Sequence, residues 1–93
     1  MGKTLKEKAD IHPIEQHAID LVTKLRRSRK MTQEDIAHII ETTKSFVGNV
    51  ENVHNAAKYN LKHLNMIADH FCIAPKDFLP DRPVHHDFDD SRT

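Results

Sequence analysis

The chain predicts an all-α protein, a compact bundle of four helices with a short fifth. Two observations carry that reading. Apolar residues recur at helical spacing in several consecutive segments, and no segment of useful length alternates as a strand would. Capping residues and prolines stand at the ends of those segments, where helices start and stop. A third observation places the centre of the molecule. In residues 31–52, MTQEDIAHIIETTKSFVGNVEN, two short helical patterns lie end to end with only Glu41, Thr42 and Thr43 between them.

The first helix begins at Pro13, whose missing N–H costs nothing in an opening turn. Ile14, Ala18, Leu21, Val22 and Leu25 form its apolar stripe, and it ends near Arg29. Arg26, Arg27, Arg29 and Lys30 complement the helix dipole there, as a solvated basic end or as a basic face with a partner. Thr32 is the expected N-cap of the second helix, with Gln33 and Glu34 in its first turn and Ile36, Ala37 and Ile40 on its stripe. Thr43 is the expected cap of the third, where Phe46, Val47 and Val50 turn inward. Helices this short are too costly to nucleate alone, so each must lean on the other at the steep angle that a three-residue connection permits. The arrangement is a helix-turn-helix, whose second helix, about 44–51, can enter a DNA major groove.

A polar loop follows over residues 53–59. Asn60 is the expected cap of a fourth helix with Leu61, Leu64, Ile67, Ala68 and Phe71 as its stripe. Ala74-Pro75 closes it and opens a short turn in which Phe78 and Leu79 pack back. Residues 1–11 read as a flexible N-terminal arm, 12–80 as the helical domain, and 81–93 as an acidic, histidine-containing tail bounded by Pro80 and Pro83.

At 93 residues there is room for one core and no second domain. No apolar run reaches the roughly 20 residues that span a bilayer, so no membrane partner is expected. The charged start lacks the apolar centre of a secretory signal. Cys72 is the single cysteine, expected to be a buried structural thiol in a reducing cytoplasm. Fourteen basic and fourteen acidic residues cancel, but the basic cluster and the acidic tail are separated, so a neutral sum can hide a basic face.

Eight histidines raise the question of a metal. His12 and His17 lie five apart, His63 and His70 seven apart, and none has a cysteine at finger spacing. His85, His86 and Asp87 sit in the tail without a rigid scaffold. No metal site and no cofactor are expected. No nucleophile and base stand in a catalytic pattern, and two glycines cannot build a phosphate-binding loop, so no enzyme and no catalytic residue are expected.

The pieces LRRSRKMTQEDIA, TTKSFVGNVEN and NLKHLNMIADHF followed by APKDFLP resemble, in that order, the XRE (Cro/phage-repressor-like) helix-turn-helix DNA-binding family. The resemblance covers residues 21–80 and implies a bundle of the lambda-repressor-like type. It implies sequence-specific binding of double-stranded DNA by a repressor-like transcriptional regulator, cytoplasmic and nucleoid-associated, acting as a homodimer on a palindromic operator. Thr43, Lys44, Ser45, Gly48 and Asn49 are then the base-contacting positions, and Asn suits bidentate pairing with adenine. Gln33 and Asn52 match phosphate-contacting positions, and Arg27, Lys30, Lys58 and Lys62 join them from charge and placement. Glu41 stands where the family usually carries glycine, the loop over 53–59 is about two residues longer than the common form, and Gly48 sits mid-helix. Two other functions fit the same fold. One is an antitoxin-type regulator that also binds a toxin partner through the arm or tail, and the other is a protein-interaction bundle without DNA binding.

Overall fold

The computed structural model describes residues 9–85, whose regular elements are all helical, with no strand among them. Helices α1 (Pro13–Ser28), α2 (Gln33–Ile39), α3 (Lys44–Glu51) and α4 (Leu61–Phe71) are followed by a 3-10 turn, Pro75–Phe78. The α2–α3 pair packs most extensively, α1 lies against α3 and the 3-10 turn, and α4 lies against α2 and the same turn.

Each helix starts on a side-chain cap. Thr32 Oγ1 accepts the Asp35 N–H at 3.0 Å while the Asp35 carboxylate accepts the Thr32 N–H at 2.8 Å. The reciprocal partner is Asp35, the third residue of the helix. Thr43 Oγ1 accepts the Phe46 N–H at 3.1 Å, as its sequence position predicts. Asn60 Oδ1 accepts from the His63 N–H at 2.8 Å, and His63 Nδ1 accepts the Asn60 N–H in return. His12 caps α1 through Nδ1, with Pro13 in the first helical position.

The helix ends share a device that no glycine announces. Lys30, Glu41 and Cys72 follow α1, α2 and α4, and all three are left-handed, with φ of 58°, 58° and 59°. In each case the next N–H reaches back five residues: Met31 to the Arg26 carbonyl, Thr42 to Ala37, and Ile73 to Ala68. The left-handed residue itself donates three residues back, to Arg27, His38 and Asp69. These are Schellman closures, and Met31 and Ile73, which follow the left-handed residues, pack against the core. An L-residue in this conformation costs about 1–2 kcal/mol. Glu41→Gly keeps the backbone bonds and relieves that cost, offset by about 0.5–1 kcal/mol of extra chain entropy in the unfolded state. A net gain of about 0.5–1 kcal/mol is expected, which raises the melting temperature by several degrees in a domain of this size. Thermal melts of the two proteins check it; a lower melting point for the glycine variant would contradict the left-handed turn.

The core takes one fully enclosed side chain from each helix: Val22, Ile36, Val47 and Ile67. Ala37, 3% exposed, lets α2 and α3 approach at their crossing, and Phe78 closes the base. Burial of aliphatic side chains of this size contributes about 1.5–3 kcal/mol each.

Several sequence expectations change. Leu61 shares the spacing of the α4 stripe but is 77% exposed, because the stripe runs one turn past the core that covers it. Ile14 and Leu79 are similarly uncovered at 36% and 39%. Cys72 is exposed rather than buried, since its left-handed turn takes it off the inner face of α4. Ile19 is buried although it was not part of the expected α1 stripe. Tyr59, expected in a polar loop, is buried and anchors that loop, whose Asn52 and Asn55 side chains accept the His54 and Ala57 N–H groups at 2.9 Å. The last residues of the expected N-terminal arm are held in place. The Ala9 N–H donates to the Val53 carbonyl at 2.9 Å, and Ile11 packs on the core.

Candidate nucleic-acid interface

Helix α3 separates its side chains by face. Val47 and Val50 are buried and Phe46 is half-buried, whereas Lys44, Ser45 and Asn49 are exposed. Ser45 and Asn49 are four residues apart and therefore neighbours on one surface. Thr43 is also exposed, with its hydroxyl oxygen engaged by the Phe46 N–H. Gly48 is only half-buried among these outward positions, and Gln33 lies over it. A Cβ added to Gly48 would sit 3.4 Å from Gln33 Oε1. That spacing leaves room for a Cβ beside the Gln33 side chain, and because Gly48 has no side chain of its own the outward set is Thr43, Lys44, Ser45 and Asn49.

What holds this pose is an enclosed polar network. The Glu51 carboxylate accepts from Arg26 Nε and Nη2, both at 2.9 Å, in a bidentate fork. Its Oε1 also accepts from Gln33 Nε2 at 3.0 Å, while Arg26 Nη1 donates to the Met31 carbonyl at 2.8 Å. The two charged side chains are only 12% and 6% exposed. One cluster therefore ties the end of α1, the α1–α2 turn, the start of α2 and the end of α3.

The sequence places Arg26 in a basic cluster, either a solvated helix end or a basic face with a partner, and does not single out Glu51. A signal was present. Arg26 is four residues after Val22 and Glu51 four after Val47, so each charge is the next-turn neighbour of a fully enclosed residue. Opposite charges on two buried stripes need each other, because either alone would carry the desolvation cost unpaired.

The expected phosphate-contacting residues do not all converge. Arg27 and Lys30 are exposed around the α1–α2 turn, next to Arg29, which was not among the expected contacts and whose guanidinium lies 5.2 Å from the Phe71 ring centroid. Asn52 is exposed directly after α3, its Oδ1 accepting the His54 N–H. Gln33 is half-buried, with its amide nitrogen committed to Glu51. Lys58 pairs with Glu15 at 3.2 Å. At about 1.5 Å per residue along α1, that pair lies roughly 16 Å from the level of Arg26, so Lys58 is held at the other end of the helix. Lys62 is exposed in the first turn of α4. Glu34, Asp35 and Glu41 are exposed on and just after α2 and oppose the local cations.

Beneath α3 the rings of Phe46, Tyr59 and His63 meet, with centroids 5.4–6.3 Å apart. The Tyr59 hydroxyl is buried without a protein partner, and its pKa is pushed well above the ordinary value, first by burial and then by the Glu51 charge, which Arg26 partly offsets. The His63 imidazole has its pKa lowered by burial and by the Lys62 charge. Its neutral form also accepts the Asn60 N–H, a bond that protonation at Nδ1 removes. Below about pH 6.5 the unfolded chain therefore binds more protons at this position than the folded one, so stability falls as pH drops. Urea midpoints between pH 7.5 and 5 should decline less in His63→Gln, which keeps an uncharged acceptor, than in the parent chain. Parallel declines would remove His63 as a source of the slope.

Among the described residues, no three His, Cys, Asp or Glu side chains are placed to hold a metal ion together, and no helix is long and apolar enough to cross a membrane. His86, Asp87 and the rest of the tail lie outside the described residues, as do residues 1–8. No family model matches the chain, and neither does any curated protein or solved structure.

Proposed function

We propose that this chain is a helix-turn-helix domain of the XRE, lambda-repressor-like type that binds double-stranded DNA sequence-specifically and regulates transcription in the manner of a repressor. The observation that carries the reading is the division of α3. Its inner residues are locked against α1 and α2 by the core and by the Arg26–Glu51–Gln33 network, while Lys44, Ser45 and Asn49 stand exposed on the other side. A helix held from beneath with polar side chains outward suits the major groove, where base edges offer distinct donor and acceptor patterns.

In this reading Arg27, Lys30 and Asn52 hold the DNA backbone near the C-terminal end of α3, with Arg29 beside them, while the Arg26 guanidinium is committed to Glu51 inside the protein. Lys58, paired with Glu15, contributes less, and the Gln33 side chain serves chiefly to orient α3. A formal charge of zero makes the affinity more dependent on those few exposed cations. Binding to a mixed-sequence duplex should weaken with rising salt, with a slope of about 0.9 per phosphate neutralised. Fluorescence anisotropy across a salt series measures it. No change in anisotropy at low salt would reject DNA binding and favour a protein-interaction bundle, the reading that the exposed Ile14, Leu61 and Leu79 support.

A further inference from the structure

The Gln33 amide has two ends, and the protein's own contacts use only one. Its Nε2 donates to Glu51 Oε1 at 3.0 Å. A reversed amide would set an oxygen against that carboxylate, so the Glu51 charge decides which end faces it. Arg26 holds Glu51 in turn with its bidentate fork. The amide oxygen is left beside Gly48, 3.4 Å from the point that a Cβ would occupy there. Among the described residues nothing donates to it. The Tyr59 hydroxyl is the one enclosed side-chain polar atom without a partner among those residues, so the Gln33 oxygen is open to water.

Ser45, Gly48, Asn49 and Asn52 follow one another at helical spacing, so they share one face of α3 and its end. Gly48 brings no side chain to that face, and the Gln33 oxygen stands where one would begin. We propose that Gln33 reads a base in place of the missing side chain, its oxygen accepting from an exocyclic amino group in the major groove. The group is N6 of adenine or N4 of cytosine, since thymine and guanine present acceptors at that edge. This rests on the reading of α3 as the helix in the groove, and it differs from the phosphate contact that the family resemblance implies. Phosphate oxygens are acceptors and have no proton to give to an amide oxygen. Because Glu51 and Arg26 set the amide beforehand, little side-chain freedom is lost when the base is met.

Selection from a random duplex pool with the full chain, Gln33→Met and Gln33→Lys tests it. Methionine keeps the length and helix propensity of the side chain and removes its amide. Lysine still donates to Glu51, so α3 stays oriented, but it has no acceptor. Both variants are expected to lose a preference for adenine or cytosine at one operator position, distinct from the one that Asn49→Ala relaxes. The amino group at that position is then deleted, with purine in place of adenine or pyrimidin-2-one in place of cytosine. The parent chain should bind the deleted operator about three- to tenfold more weakly, the range of one neutral hydrogen bond, while the variants bind both operators alike. Uniform weakening by Gln33→Met, with every preference kept in Gln33→Lys, overturns the proposal and leaves Gln33 as a positioning residue. Equal losses in parent and variants on amino deletion overturn it too, by giving that amino group to another side chain. A parent chain that binds no duplex at low salt overturns the reading of α3 itself, and this inference with it.

Discussion

Glu51→Ala is expected to destabilise the domain by about 3–5 kcal/mol, because it leaves the Arg26 guanidinium enclosed with no counter-charge. The Gln33 amide loses its acceptor in the same step, so the tie between the start of α2 and the end of α3 goes with it. Small domains hold only about 5–15 kcal/mol in total, so the variant should melt far lower and lie close to the folding threshold. Arg26→Ala should cost as much or more. It strands a carboxylate in the last turn of α3, where the helix dipole already disfavours negative charge. The pair itself contributes much less than either deletion implies, since bringing both ions out of water cancels much of their attraction. Replacing both together, Arg26→Met with Glu51→Leu, should therefore recover most of the loss. Urea unfolding of the two single variants and the double variant makes the comparison. A single-variant cost below about 1 kcal/mol would mean that the pair behaves as a solvated surface bridge.

Asn49→Ala should change which DNA is bound rather than whether the protein folds. Asn49 is exposed on α3 and makes no contact that the core depends on, so stability should hold within about 0.5 kcal/mol, the range typical of surface changes. Selection of bound sequences from a random duplex pool should show preference relaxed at one operator position, a loss of about 1–3 kcal/mol there. Lys30→Ala makes the contrast. Lys30 precedes α2 with its side chain exposed, and its loss should weaken all sequences alike and flatten the salt dependence. Uniform weakening by Asn49→Ala would move that residue to the backbone class. Discrimination lost at one base pair in Lys30→Ala would move it the other way.

Helix positions and their start signals were legible because they are local. Thr32, Thr43 and Asn60 cap the next turn through their own side chains, and the spacing of Ile36 with Ala37 or Val47 with Val50 defines a face without reference to the rest of the chain. The left-handed ends were legible only at Glu41, and there through the resemblance, which puts Glu41 where the family usually carries glycine. Lys30 and Cys72 take the same conformation with nothing in their residue types to signal it. Cys72 was misplaced for that reason: periodicity carries a residue along a helix face, but a Schellman closure ends the face one residue earlier. Leu61 shows the converse error. The stripe continues through it, while the layer that would cover it stops.

The sequence by itself determined the all-helical class, the order of the helices, three of their four side-chain caps and the inward face of α3, since each depends on residues within a turn or two of one another. Only the tertiary structure decided that Arg26 leaves the basic cluster to meet Glu51, twenty-five residues away. It likewise decided that Gln33 covers Gly48, that Lys58 is held by Glu15, and that Tyr59 is a core residue. The physical reason is the range of the forces involved. Backbone hydrogen bonding and capping act between neighbours in the chain, whereas the desolvation of a charge depends on whichever distant segment happens to cover it.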